Sequence, residues 1–210
     1  MNTLLKNSEP ADLKKQMDNF WKCVNNYSSI SEEAKEAWQQ LLQVKTIQKN
    51  EYFLTEGTIP KQIAFINKGL LSYYYTSSEG DVVIKKFFPE NTFVASTSAL
   101  LSQQPSLFTI QALEDTELLT YNFDSFRTLV ERYPDVARFY IHYIERHWIV
   151  DKEIGEITLK YQTAKARYLD FKKNNEGLLL RLKQHHIASY LGVTPTQLSR
   201  IRAELHNSPE

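Results

Sequence analysis

The chain has 210 residues, of which 42% are hydrophobic and 12% aromatic, so it can build one large or two modest cores and is not expected to be disordered. A single cysteine, Cys23, excludes an intramolecular disulfide framework and a four-cysteine iron–sulfur site built from one chain. The formal net charge of zero conceals a segregation, because residues 160–210 hold nine Lys and Arg against four Asp and Glu, whereas residues 1–159 hold 16 against 21.

The sequence shows no membrane or export segment. No apolar run approaches the roughly 20 residues that cross a bilayer, and residues 1–10 lack the apolar core of a signal peptide. A single cysteine fits a reducing compartment. These features predict a cytoplasmic protein without a membrane partner.

The N-terminal part is predicted to be helical. Residues 11–27 carry apolar side chains at helical spacing. A second helix is expected to begin after Ser31, an N-cap candidate that two glutamates follow, and to run to about Leu42.

Short runs rich in β-branched and aromatic residues, separated by turn signals, occupy residues 44–122. These seven runs are Val44–Gln48, Tyr52–Thr55, Ile63–Asn67, Leu70–Thr76, Val82–Phe88, Leu107–Leu113 and Glu117–Tyr121. Their number and spacing predict a compact antiparallel barrel or roll. Ala95–Leu101 lacks alternation and predicts a turn or a single helical turn within it.

The helical pattern returns at Asp124, and Pro134 suits the first turn of a long helix that runs to about residue 160. Its apolar residues include Ile141, Ile144, Trp148, Ile154 and Ile157, whose spacing shifts in phase near Val150. Such a helix can cover its own roll, or it can pack partly on a second copy of the chain. We favour a homodimer, because the helix is long for a monomer of this size.

Residues 183–205, which follow a further predicted helix at Thr163–Lys173, indicate two short helices around a tight turn. Gly192 can take the left-handed conformation that ends the first helix, and Thr194 begins the second with a Thr-x-x-Gln capping box. Opposite its apolar stripe the second helix carries Thr196, Ser199, Arg200 and Ala203. Such a face fits the major groove of double-stranded DNA, where an arginine can bind one guanine through two atoms. The alternative is a packed helical hairpin, which the basic charge of this segment disfavours.

This order of elements, with the runs PENTF at 89–93 and LKQHHIASYLGVTPTQLSRI at 182–201, resembles the Crp–Fnr family of bacterial transcription regulators. The resemblance covers nearly the whole chain. It implies an α+β fold: N-terminal helices, an antiparallel β-roll of the double-stranded β-helix or jelly-roll type, a long dimerisation helix (about 134–160) and a C-terminal helix-turn-helix domain. Residues 1–160 would form a cyclic-nucleotide-binding-like sensor domain, and residues 161–210 the DNA-binding domain.

The resemblance also implies roles for single residues. Positions expected to read bases are Thr196 and Arg200, with Ser199 on the same face. Positions expected to contact phosphates are Lys183, Gln184 and Thr194. Double-stranded DNA and a second copy of the chain are the partners to expect, and RNA polymerase is a further one by the same resemblance. Many members continue with a β-hairpin wing, but only five residues follow Leu205, so we expect a reduced or absent wing.

The roll departs from the cyclic-AMP-binding members of the family. There, a glutamate takes the ribose hydroxyl and an arginine neutralises the cyclic phosphate; Ser96 and Ser106, or a neighbour of the latter, stand at those positions here. No Lys or Arg occurs between Lys86 and Arg127, and a buried phosphate without a cation is costly. We therefore expect that the chain does not bind cyclic AMP in the usual way and needs no cofactor.

A small polar pocket is the alternative use of this region. Phe93, Ser96, Thr97 and Ser106 would line it. An unidentified effector there is expected to be neutral or weakly polar, because no cation is near in sequence. The same residues can instead serve as capping and turn residues.

Two competing functions remain. The first is a small-molecule sensor that acts through protein contacts and has a non-functional DNA-binding domain; the capped second helix and Arg200 argue against it. The second is an enzyme, for which no phosphate loop, nucleophile elbow or metalloprotease motif is found. The acidic residues 114–117 are expected in a solvated turn, and no histidine has a ligation signature. We expect no catalytic residue and no metal site.

Overall fold

The computed structural model describes residues 10–150, 152, 153, 155, 158 and 161–207. Two helices, α1 (Pro10–Asn25) and α2 (Glu32–Gln39), open this part of the chain. The oxygen Oγ of Ser31 accepts the backbone N–H of Ala34 at 3.4 Å, which confirms the predicted N-cap. Helix α2 ends three residues before the predicted Leu42.

Eight strands follow: β1 (Gln43–Ile47), β2 (Tyr52–Leu54), β3 (Gln62–Lys68), β4 (Leu71–Thr76), β5 (Val82–Phe88), β6 (Phe93–Val94), β7 (Thr109–Ala112) and β8 (Thr116–Asn122). They form two four-stranded antiparallel sheets, ordered β1-β8-β3-β6 and β2-β7-β4-β5. Apolar residues of both sheets, among them Ile66, Leu71 and Leu118, form a shared core. Seven strands match the predicted runs, and the eighth, β6, was not predicted, because two residues are too few to show alternation.

Three helices accompany the roll. Helix α3 (Thr97–Ser102) confirms the helical turn predicted in this region, and α4 (Phe123–Arg132) and α5 (Pro134–Ile144) follow the last strand. An aromatic core packs α1, α2, α4 and α5 on the roll, centred on the fully buried Phe20 and Trp38. Ring pairs in this core meet mostly edge to face, the favoured geometry of aromatic contacts.

The long predicted helix changes its winding midway. A π-helix covers Glu145–Val150 directly after α5. Because a π-helical turn holds more residues than an α-helical turn, it rotates the following side chains around the axis. This accounts for the shift of the apolar seam that the sequence shows near Val150. The described residues beyond it are helical as far as Tyr161, whereas Ile154 and Ile157 lie outside the described residues.

Four helices complete the described chain: α6 (Ala164–Asn174), α7 (Glu176–Leu179), α8 (Gln184–Leu191) and α9 (Pro195–Asn207). Their apolar residues share one cluster with Leu70, Ile84 and Phe87 of the roll. The predicted division near residue 160 stays a prediction, but the two sides of it are packed on each other. No helix among the described residues is long and apolar enough to cross a membrane.

Candidate functional site

The turn between α8 and α9 has the geometry expected from its residues. Gly192 lies in the left-handed region at φ +66° and ends α8. The backbone N–H of Thr194 donates to Oε1 of Gln197 at 2.9 Å, and the N–H of Gln197 donates to Oγ1 of Thr194 at 3.1 Å. This reciprocal pair confirms the capping box. Leu198 is completely buried and anchors α9 on α8.

One face of α9 is open to solvent. Thr196, Ser199, Arg200 and Ala203 are all exposed on it. Within the described part of the chain, Arg200 makes no hydrogen bond or ion pair. Arg202, two residues on, instead lies over the ring of Tyr168, 5.5 Å from its centroid. Arg200 is therefore a guanidinium that packing does not use.

The residues expected at phosphates differ in what they already bind. Gln184 donates from Nε2 to the carbonyl oxygen of Pro195 at 2.9 Å and so ties α8 to the start of α9. Thr194 is engaged in the capping box. Lys183 is exposed at the start of α8 and forms no ion pair with a described residue. Lys183 is the only charged residue of the three, and its charge remains for an anion.

His186 lies beside Lys183 and carries no charge at neutral pH. Burial, assisted by the charges of His185, Lys183 and Lys49, lowers the pKa of His186 to about 4. A neutral imidazole cannot pair electrostatically with a phosphate. Of the two adjacent histidines, the exposed His185 is the one whose ring reaches solvent freely.

The predicted pocket residues separate into two places. Ser96 and Ser106 meet, with their hydroxyl oxygens 2.9 Å apart, and Tyr73 reaches Ser96 at 3.2 Å. Thr97, half-buried, begins α3 next to them. Phe93 instead packs in the aromatic core against Phe20, Phe65, Phe139 and Tyr143. The structure therefore brings the serine pair together with Tyr73 and places Phe93 elsewhere.

A cation lies over the rings of Tyr73 and Phe108, next to this hydroxyl cluster, and the sequence did not indicate it. In the pairing of β4 with β5, Tyr73 opposes Lys86 and Tyr74 opposes Ile84, so that Lys85 is the extra residue of a β-bulge. Its Nζ lies 4.8 Å from the ring centroid of Phe108 and 5.6 Å from that of Tyr73. Burial and the charge of Lys152 lower the pKa of Lys85. The region is thus not without a cation, although this cation sits on rings and not at the serines.

Two further residues that the sequence did not single out join the C-terminal helices to the roll. Arg181 binds the carboxylates of Glu90 and Glu114, and Ser189 binds the backbone of β5. Glu114 lies in the bend between β7 and β8 and is one-third exposed, as expected, but it is also an ion-pair partner, which the sequence did not indicate. The partners of Arg181 and Ser189 lie 67 to 107 positions away in the chain, beyond the reach of any local pattern.

Metal and thiol chemistry find little support in the described residues. No group of three or more His, Cys, Asp or Glu side chains is placed to hold a metal ion there. Cys23 is buried, its Sγ donates to the carbonyl oxygen of Asn91, and burial raises its pKa to about 11. It is a protonated core thiol, which is a poor nucleophile.

The predicted dimer helix shows an uncovered apolar face. Ile141 and Trp148 are 52% and 39% exposed, and Ile144 is half-buried. The opposite face, with Val136 and Phe139, is buried against the aromatic core. The helix therefore covers its own roll with one face, and no other described element covers its second face.

Comparison with known proteins places the fold. Residues 44–133 match the model of the cyclic nucleotide-binding domain. FixK2 from Bradyrhizobium japonicum is 19% identical, with 79% of this chain and 84% of that chain covered and a TM-score of 0.67. CLP of Xanthomonas campestris, described as a regulator responsive to c-di-GMP, is 11% identical, with coverage of 84% and 92% and a TM-score of 0.68.

A CooA variant from Carboxydothermus hydrogenoformans is 19% identical, with coverage of 91% and 87% and a TM-score of 0.63. These neighbours are Crp–Fnr regulators, so the α+β arrangement of antiparallel sheets and helices seen here is a Crp-like fold. No curated protein matches the chain.

Proposed function

We propose that the protein is a homodimeric transcription regulator that binds double-stranded DNA sequence-specifically through α9. The observation that carries this proposal is Arg200, an unengaged guanidinium on the exposed face of a firmly capped helix. Thr196 and Ser199 share that face and are short enough to let the helix approach base edges. Lys183, which is exposed at the start of α8, would contact a phosphate.

A homodimer follows from the uncovered face of the long helix. Ile141 and Trp148 would each bury apolar area against the same helix of a second copy. Two-fold symmetry would then present two recognition helices to two half-sites about one helical turn of DNA apart. A single α9 has too few contacts to specify a long operator, so dimerisation is part of the proposed function.

The roll is proposed to act as the sensor part without binding cyclic AMP in the usual way. Ser96 and Ser106 hold each other where a ribose and a phosphate would need a carboxylate and a cation. An unidentified small effector, or no effector at all, is compatible with this site. An effector would act by shifting the balance between two placements of the recognition helices. RNA polymerase remains a partner expected from the resemblance alone.

The alternative is a sensor whose DNA-binding part has decayed. Three features argue against it: the reciprocal capping box, the left-handed Gly192 and the buried Leu198. A helix that no longer bound DNA would not need to be held so firmly. The two hypotheses differ in one measurable property, a salt-dependent affinity for duplex DNA.

The test is selection of operators from random duplexes, followed by fluorescence anisotropy over a series of salt concentrations. Arg200→Ala should weaken binding to the selected duplex by about 1–3 kcal/mol and relax the preference at one base pair. Lys183→Ala should weaken all duplexes alike and lower the salt slope by about one. Arg127→Ala, at an exposed arginine of α4, is the matched control and should change nothing. Wild-type protein that binds no duplex at low salt would establish the alternative.

A further inference from the structure

Strand β5 lies at the edge of its sheet, and α8 covers that edge. The oxygen Oγ of Ser189 accepts the backbone N–H of Ile84 at 2.9 Å and donates to the carbonyl oxygen of Val82 at 2.5 Å. One hydroxyl thus satisfies a donor and an acceptor that a neighbouring strand would otherwise pair. The C-terminal helices are in this way joined to the backbone of the roll, and not only to its side chains.

An ion-pair cluster fixes the same helices at a second point. Arg181 donates from Nη1 and Nη2 to Glu90, both at 2.9 Å, and from Nε and Nη2 to Glu114 at 2.9 and 2.7 Å. Glu90 also accepts the backbone N–H of Gly69 at 2.9 Å. All three side chains are about one-third exposed or less. A guanidinium held by two carboxylates has little freedom to rotate, so the cluster sets an orientation as well as a contact.

Apolar packing extends these two contacts to the recognition helix. The ring of Phe87 on β5 lies 5.4 Å from that of Tyr190 and 6.4 Å from that of Phe171. Leu198 of α9 is fully buried in the same cluster as Ile84. Because these side chains are closely packed, a displacement of β5 would also displace α9.

The contact does not cover the face proposed to read DNA. Arg200 and its exposed neighbours Thr196 and Ser199 lie outside the cluster, while α8 faces the roll. A contact that blocked DNA would have to bury these residues. The contact between the C-terminal helices and the roll therefore holds α9 in place and leaves its exposed face open.

We propose that Arg181, through Glu90 and Glu114, and Ser189, through strand β5, are positioning residues that mount the recognition helix on the roll and thereby set the distance between the two recognition helices of the dimer. This inference rests on the proposed function. If the mount loosens, each α9 can still bind one half-site, but the second helix no longer meets the second half-site at a fixed distance. The loss then falls on the two-site complex, because its affinity depends on the effective concentration of the second helix.

The test compares two duplexes, one with both half-sites of the selected operator and one with a single half-site. Arg181→Met removes the charge while keeping most of the side-chain volume, and Ser189→Ala removes the hydroxyl. Either variant should weaken the two-site complex on the order of tenfold or more and leave the single-site affinity within about twofold. Arg181→Lys should restore part of the loss, and Arg127→Met is the charge-matched control. An equal loss on both duplexes, or no loss on either, would overturn the proposal.

A second readout needs no DNA. The amide of Ile84 should exchange with solvent deuterons on the order of tenfold faster in Ser189→Ala and Arg181→Met than in the wild-type dimer, because its partner on α8 is lost or displaced. Unchanged exchange in both variants would show that Arg181 and Ser189 do not hold α8 on strand β5. Wild-type protein that binds neither duplex would refute the proposed function instead, and exchange at Ile84 would still decide whether the mount exists.

Discussion

The hydroxyl oxygen of Ser96 lies 2.9 Å from that of Ser106, and each side chain is only 1% exposed. Ser106 donates its proton to the carbonyl oxygen of Phe108 at 2.8 Å. Ser96 must therefore donate to Ser106, and Tyr73 to Ser96, since each hydroxyl has one proton. The hydroxyl protons of Tyr73, Ser96 and Ser106 are therefore all donated within the protein, and none is left for a phosphate.

We expect calorimetric titration of the dimer with cyclic AMP and cyclic GMP to show no binding heat. A cyclic phosphate in this place would lose its hydration without gaining a paired cation or a free donor. Lys85→Gln tests the remaining source of charge. Micromolar binding by the wild type that Lys85→Gln abolishes would prove the prediction wrong and identify the bulged lysine as the phosphate ligand.

Gly69→Ala should destabilise the roll strongly. Gly69 lies at φ +103°, and an added Cβ would overlap Oγ1 of Thr116 and lie 2.7 Å from the carbonyl oxygen of Asp115. Gly80→Ala is the matched control, with φ +88° and no atom within 4 Å of the added Cβ. The control should cost about 1–2 kcal/mol for the left-handed backbone. Gly69→Ala should cost about 2 kcal/mol more in urea unfolding, because of the steric overlap; equal costs would contradict this.

Acid should destabilise the protein through His186. Its pKa of about 4 in the folded chain lies below the ordinary 6.5, and burial is the main cause. Between these values the unfolded chain binds a proton that the folded chain does not, so the stabilisation is complete above pH 6.5 and is lost as the pH falls towards 4. His186→Gln should flatten the pH dependence of urea unfolding in this window. His206→Gln, at an exposed residue, should leave it unchanged, and an unaltered slope in His186→Gln would refute the prediction.

Charged substitutions on the long helix should separate the dimer. Ile141→Asp and Trp148→Asp each place a carboxylate on the exposed apolar face that we propose as the interface. Loss of one such side chain from an interface costs about 1.5–3 kcal/mol before the charge is counted, so sedimentation should show monomers. Leu180→Asp is the control, because Leu180 is 96% exposed in the turn that follows α7. A wild-type monomer, or a dimer that survives both substitutions, would contradict the proposed interface.

Local patterns predicted the elements and several of their ends. Ser31, Gly192 and the pair Thr194 and Gln197 act as cap residues in the structure as the sequence indicated. These predictions succeeded because a cap depends on the backbone within about four residues of itself. The two-residue strand β6 has no such local signal, since its pairing with β3 supplies its conformation.

The candidate site was predictable only in part. The exposed face of α9 follows from helical spacing, and Arg200 lies on it as expected. The pocket was not predictable in the same way. The side chain of Phe93, on strand β6, packs in the aromatic core. Lys85 lies over the rings of Tyr73 and Phe108 because it is the extra residue of a β-bulge. Both outcomes depend on strand pairing, which a single run of sequence does not specify.

The sequence alone determined most of the helices and strands, the capped turn before α9 and the basic charge of the C-terminal segment, because each depends on neighbours in the chain or on composition. Only the tertiary structure decided which charges meet. Arg181 binds Glu90 and Glu114, 91 and 67 positions away, and Ser189 binds Ile84 across 105 positions. Such contacts form when packing of the two apolar surfaces brings the elements together, and their energy depends on distance in space and not on separation along the chain.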